Sequence, residues 1–376
     1  MKVRTISKLV ALSSASAVLL GVASPAFAAA SPQEAAPAHL VQPGQSIQAA
    51  IDAAKPGATI VLSKGMHREN LLVTKPITLD GQDGAVLAPG ATIASNPCTN
   101  DPDGGPGFNV GVCVIGKLGP IPPGQDVPTV LGLVDNVTLR NIRITQFGGD
   151  VVALGTRNLR IEHVEADHGG DGIFTEDGRD TRLVHNYAHD NDGNGLNVRG
   201  SSGLSITHNV SARNYGSGLL LINSSFGVIS HSSFVGNCAG MELIDSAEPG
   251  IAGYLTVTAN DVRANNLFCP AEESPSTSGI GIGILGTTHV RVERNMVTGN
   301  VAQSDPQSGD PAQFGGIGIA LFDGQLAGGP PPTDNDIVRN HITDNVPLDV
   351  VTDGSGSGNR FSLNACNAAN VAGICQ

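Results

Sequence analysis

The sequence predicts an all-β solenoid, a stack of short coils in which each coil buries its apolar side chains against the next. Three observations predict it. Asn-x-x-x-x-Asn pairs recur at Asn186/Asn191, Asn209/Asn214, Asn260/Asn265, Asn295/Asn300 and Asn340/Asn345, with weaker copies read at Asn141/Gln146, His163/His168 and Ser232/Asn237. Their first members at 141, 163, 186, 209 and 232 set a period of 22 or 23 residues. A second anchor runs in phase with them, at Gly172-Ile173, Gly195-Leu196, Gly218-Leu219 and Gly240-Met241. So short a period, rich in Gly, Asn and β-branched residues, fits stacked coils.

The elements follow in order. Residues 1–28 read as a signal peptide: Lys2, Arg4 and Lys8, an apolar stretch from Leu9 to Val22, and Ala26-Phe27-Ala28 as an A-x-A-like cleavage site. The apolar run is short and broken by serines, which argues against a membrane anchor. Residues 29–40 read as a flexible leader and 41–376 as one solenoid domain. Ser46 is placed to cap a short helix whose stripe is Ile47, Ala50, Ile51 and Ala54, and Pro56-Gly57 stops it. Short strands follow at Thr59–Leu62, Leu71–Val73 and Ile77–Leu79. A helix ahead of the first coil would cover the open end of the core. Further along, Val184, Ile206 and Val292 alternate with polar residues, as half-buried strands do.

The opening segment VQPGQSIQAAIDAAKPGATIVLSKGMHRENLLVTKPITLDG and the repeated Leu-x-Ile-x-x-Asn…Asn…Gly-Ile pattern resemble secreted right-handed parallel β-helix proteins. That pectate-lyase-like superfamily includes pectate lyases, other polysaccharide lyases and epimerases, and nitrous-oxide-reductase accessory proteins. The resemblance runs from Val41 to the end. It implies a right-handed parallel β-helix of about ten coils with a short N-terminal capping helix. It also implies three strands per coil: Gly-Ile opens the first sheet, Leu-x-Ile lies on the second, and the Asn pairs mark the next corner and strand. Stacked Asn side chains can satisfy buried main-chain groups, so the asparagines read as structural.

Composition narrows the partners. The chain has 21 basic and 34 acidic residues, a net charge of −13; without the three basic residues of the signal it is −16. This argues against nucleic acid and anionic membrane, and a polyanionic polysaccharide would need a local Arg or a bound cation. Six cysteines in a secreted chain suggest disulfides, paired as Cys98–Cys113, Cys238–Cys269 and Cys366–Cys375. No CxxC pair or His/Cys cluster suggests zinc or copper.

Insertions interrupt the repeat at 97–107, 117–129, 269–278, 302–314 and 325–334. They flank the Gly-Ile strands on both sides and would wall the first sheet. Counting from each anchor glycine, the residues one and three places on point inward and those two and four places on point outward. The outward pairs are Val152/Leu154, Phe174/Glu176, Asn197/Arg199, Leu220/Ile222, Glu242/Ile244, Gly283/Leu285 and Ala320/Phe322. Most are apolar, which calls for a loop, a ligand or a partner to cover the face. Glu176, Asn197, Arg199 and Glu242 break the pattern. Glu176 and Arg199, ~4.8 Å apart along the stack, read either as a cross-coil ion pair or as a substrate site in which Arg199 neutralises a carboxylate.

The preceding corner carries Asp167-His168-Gly-Gly-Asp171, His189-Asp190-Asn191-Asp192-Gly-Asn194 and Arg213-Asn214-Tyr215-Gly-Ser217. His168, Asn191 and Asn214 are expected on one ladder, with Asp167, Asp190 and Arg213 stacked beside them. Stacked carboxylates repel unless protonated or bridged by a cation. Asp190-x-Asp192-x-Asn194-Gly195 matches the first half of a calcium loop, although position twelve is Ser201. Asp167, Asp171, Asp190, Asp192 and Asn194 are therefore the expected Ca²⁺ ligands, with no organic cofactor.

Two functions compete. A carbohydrate-active enzyme, acting on uronate polysaccharide by β-elimination or epimerisation, needs a cation, a base and an acid. Arg199 or Ca²⁺ would be the cation, His189 or His168 the base and Tyr215 the acid, with Glu176 as a further catalytic carboxylate. Phe174, Asn197, Arg213 and Glu242 would bind substrate. Paired carboxylates Asp171, Glu176 and Glu242 would suit hydrolysis instead. The alternative is a non-catalytic extracellular module that binds glycan or protein through the apolar sheet, for which the 3% aromatic content speaks. The sequence leaves the oligomeric state unknown.

Overall fold

The computed structural model describes residues 39–99, 109–121, 128–246, 252–270 and 275–376. The expected signal peptide and residues 29–38 of the leader lie outside them, as do parts of the 97–107, 117–129 and 269–278 insertions. His39 and Leu40 already belong to the fold: the strand His39–Val41 pairs parallel with Ile60–Leu62. Helix α1 spans Ile47–Ala53. The Ser46 hydroxyl accepts from the Ala49 N–H at 3.1 Å. The Glu69 carboxylate takes the Ile47 N–H at 2.6 Å, placing a negative charge at the helix start. Ile47 and Ile51 are fully buried and close the end of the core.

Among the described residues the strands form parallel sheets of ten, twelve and eleven members. The first runs from Leu71–Val73 to Leu348–Thr352, the second from His39–Val41 to Arg360–Ser362, and the third from Gly65–Arg68 to Ala365–Cys366. Each coil visits the three sheets in turn, so the molecule is an all-β, right-handed parallel β-helix. The core follows the expected alternation on the first sheet. Ile173, Thr175, Leu196, Val198, Leu219, Leu221, Met241 and Leu243 are all wholly buried. The anchor glycines have a steric cause. A Cβ on Gly218 would lie 2.7 Å from the Gly240 carbonyl and 2.8 Å from Asn237 Nδ2.

The asparagine ladders bracket the third sheet. Asn214 shows the unit: its Nδ2 donates to Asn237 Oδ1 at 2.9 Å and to the Ala188 carbonyl at 3.2 Å. Its Oδ1 accepts the Asn191 N–H at 3.2 Å and Asn191 Nδ2 at 2.9 Å. Buried main-chain groups are satisfied from coil to coil in this way. Aspartates that replace the anchor glycine terminate this ladder. At the last coil Asp349 accepts the N–H and Nδ2 of Asn345 at 3.2 and 3.0 Å, and the N–H of Asn367 at 2.8 Å. At the other end the ladder position is Gly169, and Asp150 fills the space. A Cβ on Gly169 would lie 3.1 Å from either Asp150 carboxylate oxygen. Burial pushes the Asp150 carboxyl well above its ordinary value.

Two expected stackings shift by one residue. His163 is in register with His185 rather than Asn186, because the Val164 N–H donates to Asn186 Oδ1 and so occupies the coil position below it. His168 likewise leaves the asparagine ladder, where Gly169 stands, donating to Asn191 Oδ1. It joins Gln146, Asp190 and Arg213 in a column of left-handed corner residues with φ of 54–67°. Asp167 pairs with His189, not Asp190. On the second sheet Leu183 rather than Val184 pairs with Ile206 in the core, and the half-buried Val184 pairs with Thr207. The shift of His163 and His168 arises because the corners at 141, 163 and 185 are 22 residues apart, whereas the next two, at 208 and 231, follow at 23.

The three expected disulfides are present, Cys98–Cys113, Cys238–Cys269 and Cys366–Cys375. No helix among the described residues is long and apolar enough to cross a membrane.

Candidate functional site

The outward face of the first sheet is built as read from the sequence. Strand register places Val152, Phe174, Asn197, Leu220, Glu242, Gly283 and Ala320 in one column, and Leu154, Glu176, Arg199, Ile222, Ile244, Leu285 and Phe322 in the other. The chain itself covers the N-terminal part of this face. Val110, Cys113, Ile115, Val152 and Leu154 form a second apolar cluster, capped by Cys98 and by Leu118 of a small hairpin. Cys98 and Leu118 thus help to cover the face over the strands Val110–Ile115 and Gly149–Leu154.

Beyond the cover the face opens at a polar step. The Arg199 guanidinium lies 5.6 Å from the centre of the Phe174 ring, and its Nε donates to Asn197 Oδ1 at 3.2 Å. Glu176 stands in register beside it on the preceding coil. Asn197 is held by a 2.7 Å bond from its Nδ2 to Asp171, and Asp171 in turn accepts the Asn194 N–H at 2.7 Å. Asp171 is thereby a positioning group for Asn197 and the corner.

Past Arg199 lies a cavity of about 740 Å³. Leu220, Ile222, Ile244, Gly283, Leu285 and Phe322 floor it. The corner residues Asp192 and Tyr215, the Cys238–Cys269 disulfide with Pro270 and Pro275, and Phe314 and Ala327 wall it. The 269–278 and 325–334 insertions therefore border the groove. Glu242 is the charged group of the floor, half-buried, and the Ser217 hydroxyl donates to its carboxylate. Burial pushes the Glu242 carboxyl up, and the Ser217 bond only partly opposes this. Sequence reasoning missed Gly283 as a feature of the site; its signal was a glycine in an outward column otherwise filled by larger side chains.

The structure divides the remaining candidates from this groove. His168, His189, Arg213, Asp167 and Asp190 belong to the third sheet and its corner, and they neutralise one another. Arg143 grips Asp167 through Nε at 2.9 Å and a terminal nitrogen at 2.6 Å, and His168 Nδ1 bonds the same carboxylate. Burial raises the Asp167 carboxyl, but the Arg143 and His168 hydrogen bonds outweigh it and hold the group below its ordinary value. His189 Nδ1 bonds Asp190 at 2.6 Å, and Arg213 bonds both Asp190 oxygens at 2.7 and 2.5 Å. The Arg213 bond first, and the His189 bond after it, hold Asp190 well below the usual carboxylate range. Tyr215 is 58% exposed on the groove wall and is the one member of the corner's acid–base set that borders the cavity.

The five residues expected to bind Ca²⁺ do not converge. Asp190 is taken by Arg213 and His189, while Asn194 Nδ2 bonds Asp171 at 3.1 Å and its Oδ1 accepts the Ser217 N–H at 2.9 Å. Asp192 lines the cavity. Among the described residues, the cluster able to coordinate a divalent cation is Glu165, Asp167 and His189, with ligand atoms all within 4.8 Å of one another. An imidazole with two carboxylates is not specific to Ca²⁺, which favours oxygen alone.

The family model of the right-handed β-helix region matches residues 129–262. No curated protein sequence matches the chain. Among solved structures, the fold is similar to the Azotobacter vinelandii mannuronan C-5 epimerase AlgE4 A-module. The two are 19% identical over 87% of this chain and 95% of that one, with a TM-score of 0.57. It is similar to the periplasmic alginate epimerase AlgG at 12% identity, over 87% and 83% of the two chains, with a TM-score of 0.55. A third likeness is the DFA-IIIase from Arthrobacter chlorophenolicus A6 in complex with GF2, at 14% identity over 87% and 92%, TM-score 0.50. The protein is a right-handed parallel β-helix repeat protein; at these identities the likenesses speak for the fold alone.

Proposed function

We propose that the protein is a secreted enzyme that holds a uronate-containing polysaccharide along the first-sheet groove and acts on it by β-elimination or epimerisation. The observation that carries the reading is the placement of Arg199 and Glu242 on one sheet face, Glu242 in the cavity lining and Arg199 in register with Ile222, which also lines the cavity. Both reactions begin by removing the proton beside a carboxylate, so negative charge grows on that carboxylate. Arg199, supported by Asn197, is placed to neutralise it. Glu242, whose burial favours the protonated form, is placed to deliver a proton. Glu176, on the other side of Arg199, and Tyr215, on the wall, are the groups available as base. The solved structures of similar fold include a mannuronan C-5 epimerase and a periplasmic alginate epimerase by their printed names, which supports the substrate class. The sequence signal at 1–28 supports secretion.

His168 and His189 are assigned no step, because their ring nitrogens face carboxylates on the third sheet. A divalent cation at Glu165, Asp167 and His189 would lie outside the groove, so no step is routed through it. The reading of a glycan-binding module without catalysis draws on this same separation of the histidines from the groove.

The test is incubation with a panel of uronate polysaccharides. Ultraviolet absorbance follows the unsaturated product of elimination, and proton NMR follows the epimer ratio. Activity that disappears in Arg199→Ala supports the reading. Glycan binding without either product, across the panel, supports the module.

A further inference from the structure

The groove changes character abruptly along its length, and the change bears on the substrate. Arg199 is followed in its column by Ile222, Ile244, Leu285 and Phe322. At ~4.8 Å per coil this apolar row runs for about 14 Å beyond Ile222. Among the described residues, the lining of the cavity above it contains two acidic side chains, Asp192 and Glu242, and no Lys, Arg or His. A polymer carrying a carboxylate on every sugar would have to bring further carboxylates over this row. Each would lose water and meet apolar carbon or another acid, with no cation in the lining to compensate. A neutral sugar meets no such penalty, and its C–H face suits an apolar wall with a few polar groups.

Gly283 shapes the space. It stands between Glu242 and Ala320 in the other column, so two small residues adjoin where the column elsewhere carries larger ones. A Cβ built on Gly283 would meet its nearest atoms at 3.5, 3.7 and 3.8 Å, ordinary contact distances. Neither backbone conformation nor crowding requires glycine here, and what its missing side chain leaves is room in the floor of the cavity.

Resting on the function proposed above, we propose that the substrate is a heteropolysaccharide, in which the uronate held at Arg199 is followed, about 14 Å or three coils along the groove, by a neutral sugar seated in the cavity over Gly283. Gly283 is then a specificity-determining residue. It sets how large a group on that neutral sugar can descend between Glu242 and Ala320.

The experiment compares two polymers on the full-length secreted protein: polygalacturonate, with a carboxylate on every residue, and a rhamnogalacturonan backbone, in which galacturonate alternates with a neutral deoxy sugar. Binding is read by affinity electrophoresis and turnover by product formation. The alternating polymer is expected to bind at least tenfold more tightly. Gly283→Leu is expected to lower that affinity at least tenfold, with its folding checked by thermal unfolding. Phe322→Ala, which removes part of the apolar floor instead of filling its gap, is expected to lower it as well. Equal or tighter binding of polygalacturonate, or unchanged affinity in a folded Gly283→Leu protein, overturns this inference and leaves the uronate reading standing. If wild-type protein neither binds nor converts either polymer or any other uronate polymer, the underlying reading falls and this inference with it.

Discussion

Replacing Asn237 with alanine tests the claim that the asparagine ladder, more than any single coil, holds the solenoid together. Asn237 is wholly buried. Its Oδ1 accepts the Asn214 N–H and Asn214 Nδ2, both at 2.9 Å, and its Nδ2 donates to the Ser211 carbonyl at 3.1 Å and to Asn265 Oδ1 at 3.0 Å. Two of these four partners keep other bonds: Asn214 Nδ2 still reaches Ala188 O, and Asn265 Oδ1 still accepts the residue-237 N–H. The Asn214 N–H loses its side-chain partner in a site closed to water, while the Ser211 carbonyl remains within the parallel ladder of Val210–Ala212 with Ser233–Val235. At ~1–3 kcal/mol for a buried group left without its bond, the expected loss is ~1–3 kcal/mol. Urea unfolding followed by circular dichroism measures it, compared at constant slope. Gln303→Ala is the control, an exposed amide with one 3.4 Å bond to Val301 O, and is expected to change stability by less than ~0.5 kcal/mol. A loss below ~1 kcal/mol for Asn237→Ala, with an unchanged slope, refutes the reasoning, since water or main-chain relaxation would then be satisfying the group instead.

Stability should respond to acid and base through two carboxyls with opposite signs. Glu242 is raised in the folded state, so the stability it contributes is present in acid and lost as pH rises through its folded value; Asp167 is lowered, so its contribution is present above the usual carboxylate range and lost as pH falls. Glu242→Gln should therefore raise the unfolding temperature at neutral pH but not near pH ~4, while abolishing turnover, and an unfolding temperature equally changed at both pH values contradicts the assignment. Reducing Cys238–Cys269, or replacing both cysteines with serine, frees a 31-residue separation and is expected to cost about 3–4 kcal/mol and to weaken glycan binding, because the bridge forms a wall of the cavity. His189→Ala should leave turnover within a few-fold of wild type while Arg199→Ala removes it; a large loss in a folded His189→Ala protein would return the histidine to the catalytic set.

Much of the fold is legible because one template is stacked many times. The period, both columns of the first sheet and the Cys238–Cys269 pair follow from spacing, since residues one coil apart must touch. The one-residue slip at His163 and His168 was hidden by identity. A histidine at the left-handed corner and an asparagine at the next position both break the apolar pattern, and a 22-residue coil followed by a 23-residue coil moves one onto the other. Asp150 and Asp349 were visible as departures from the anchor glycine, but their meaning depends on what faces them, Gly169 in one case and Asn345 in the other.

The candidate site was half legible for a similar reason. Phe174, Glu176, Asn197, Arg199 and Glu242 share a sheet face, and alternation alone gives that. The corner residues were grouped with them by nearness in sequence. The third sheet turns its outer face elsewhere, and Arg143, some twenty residues earlier, claims Asp167. Nor does spacing reveal an empty volume: the room over Gly283 is bounded by Cys269, Pro270, Pro275 and Ala327, which spacing does not place.

The most direct test of the proposed chemistry is solvent-proton exchange. The protein is incubated with uronate polysaccharides in deuterium oxide, and NMR reads deuterium at the carbon beside the carboxylate. Elimination and epimerisation share that proton removal, and epimerisation leaves the label in the product. Deuterium incorporation or unsaturated product with wild-type protein, lost in Arg199→Ala, is the predicted result. Neither outcome on any uronate polymer that the protein demonstrably binds would contradict the account and leave a groove that holds glycan without transforming it.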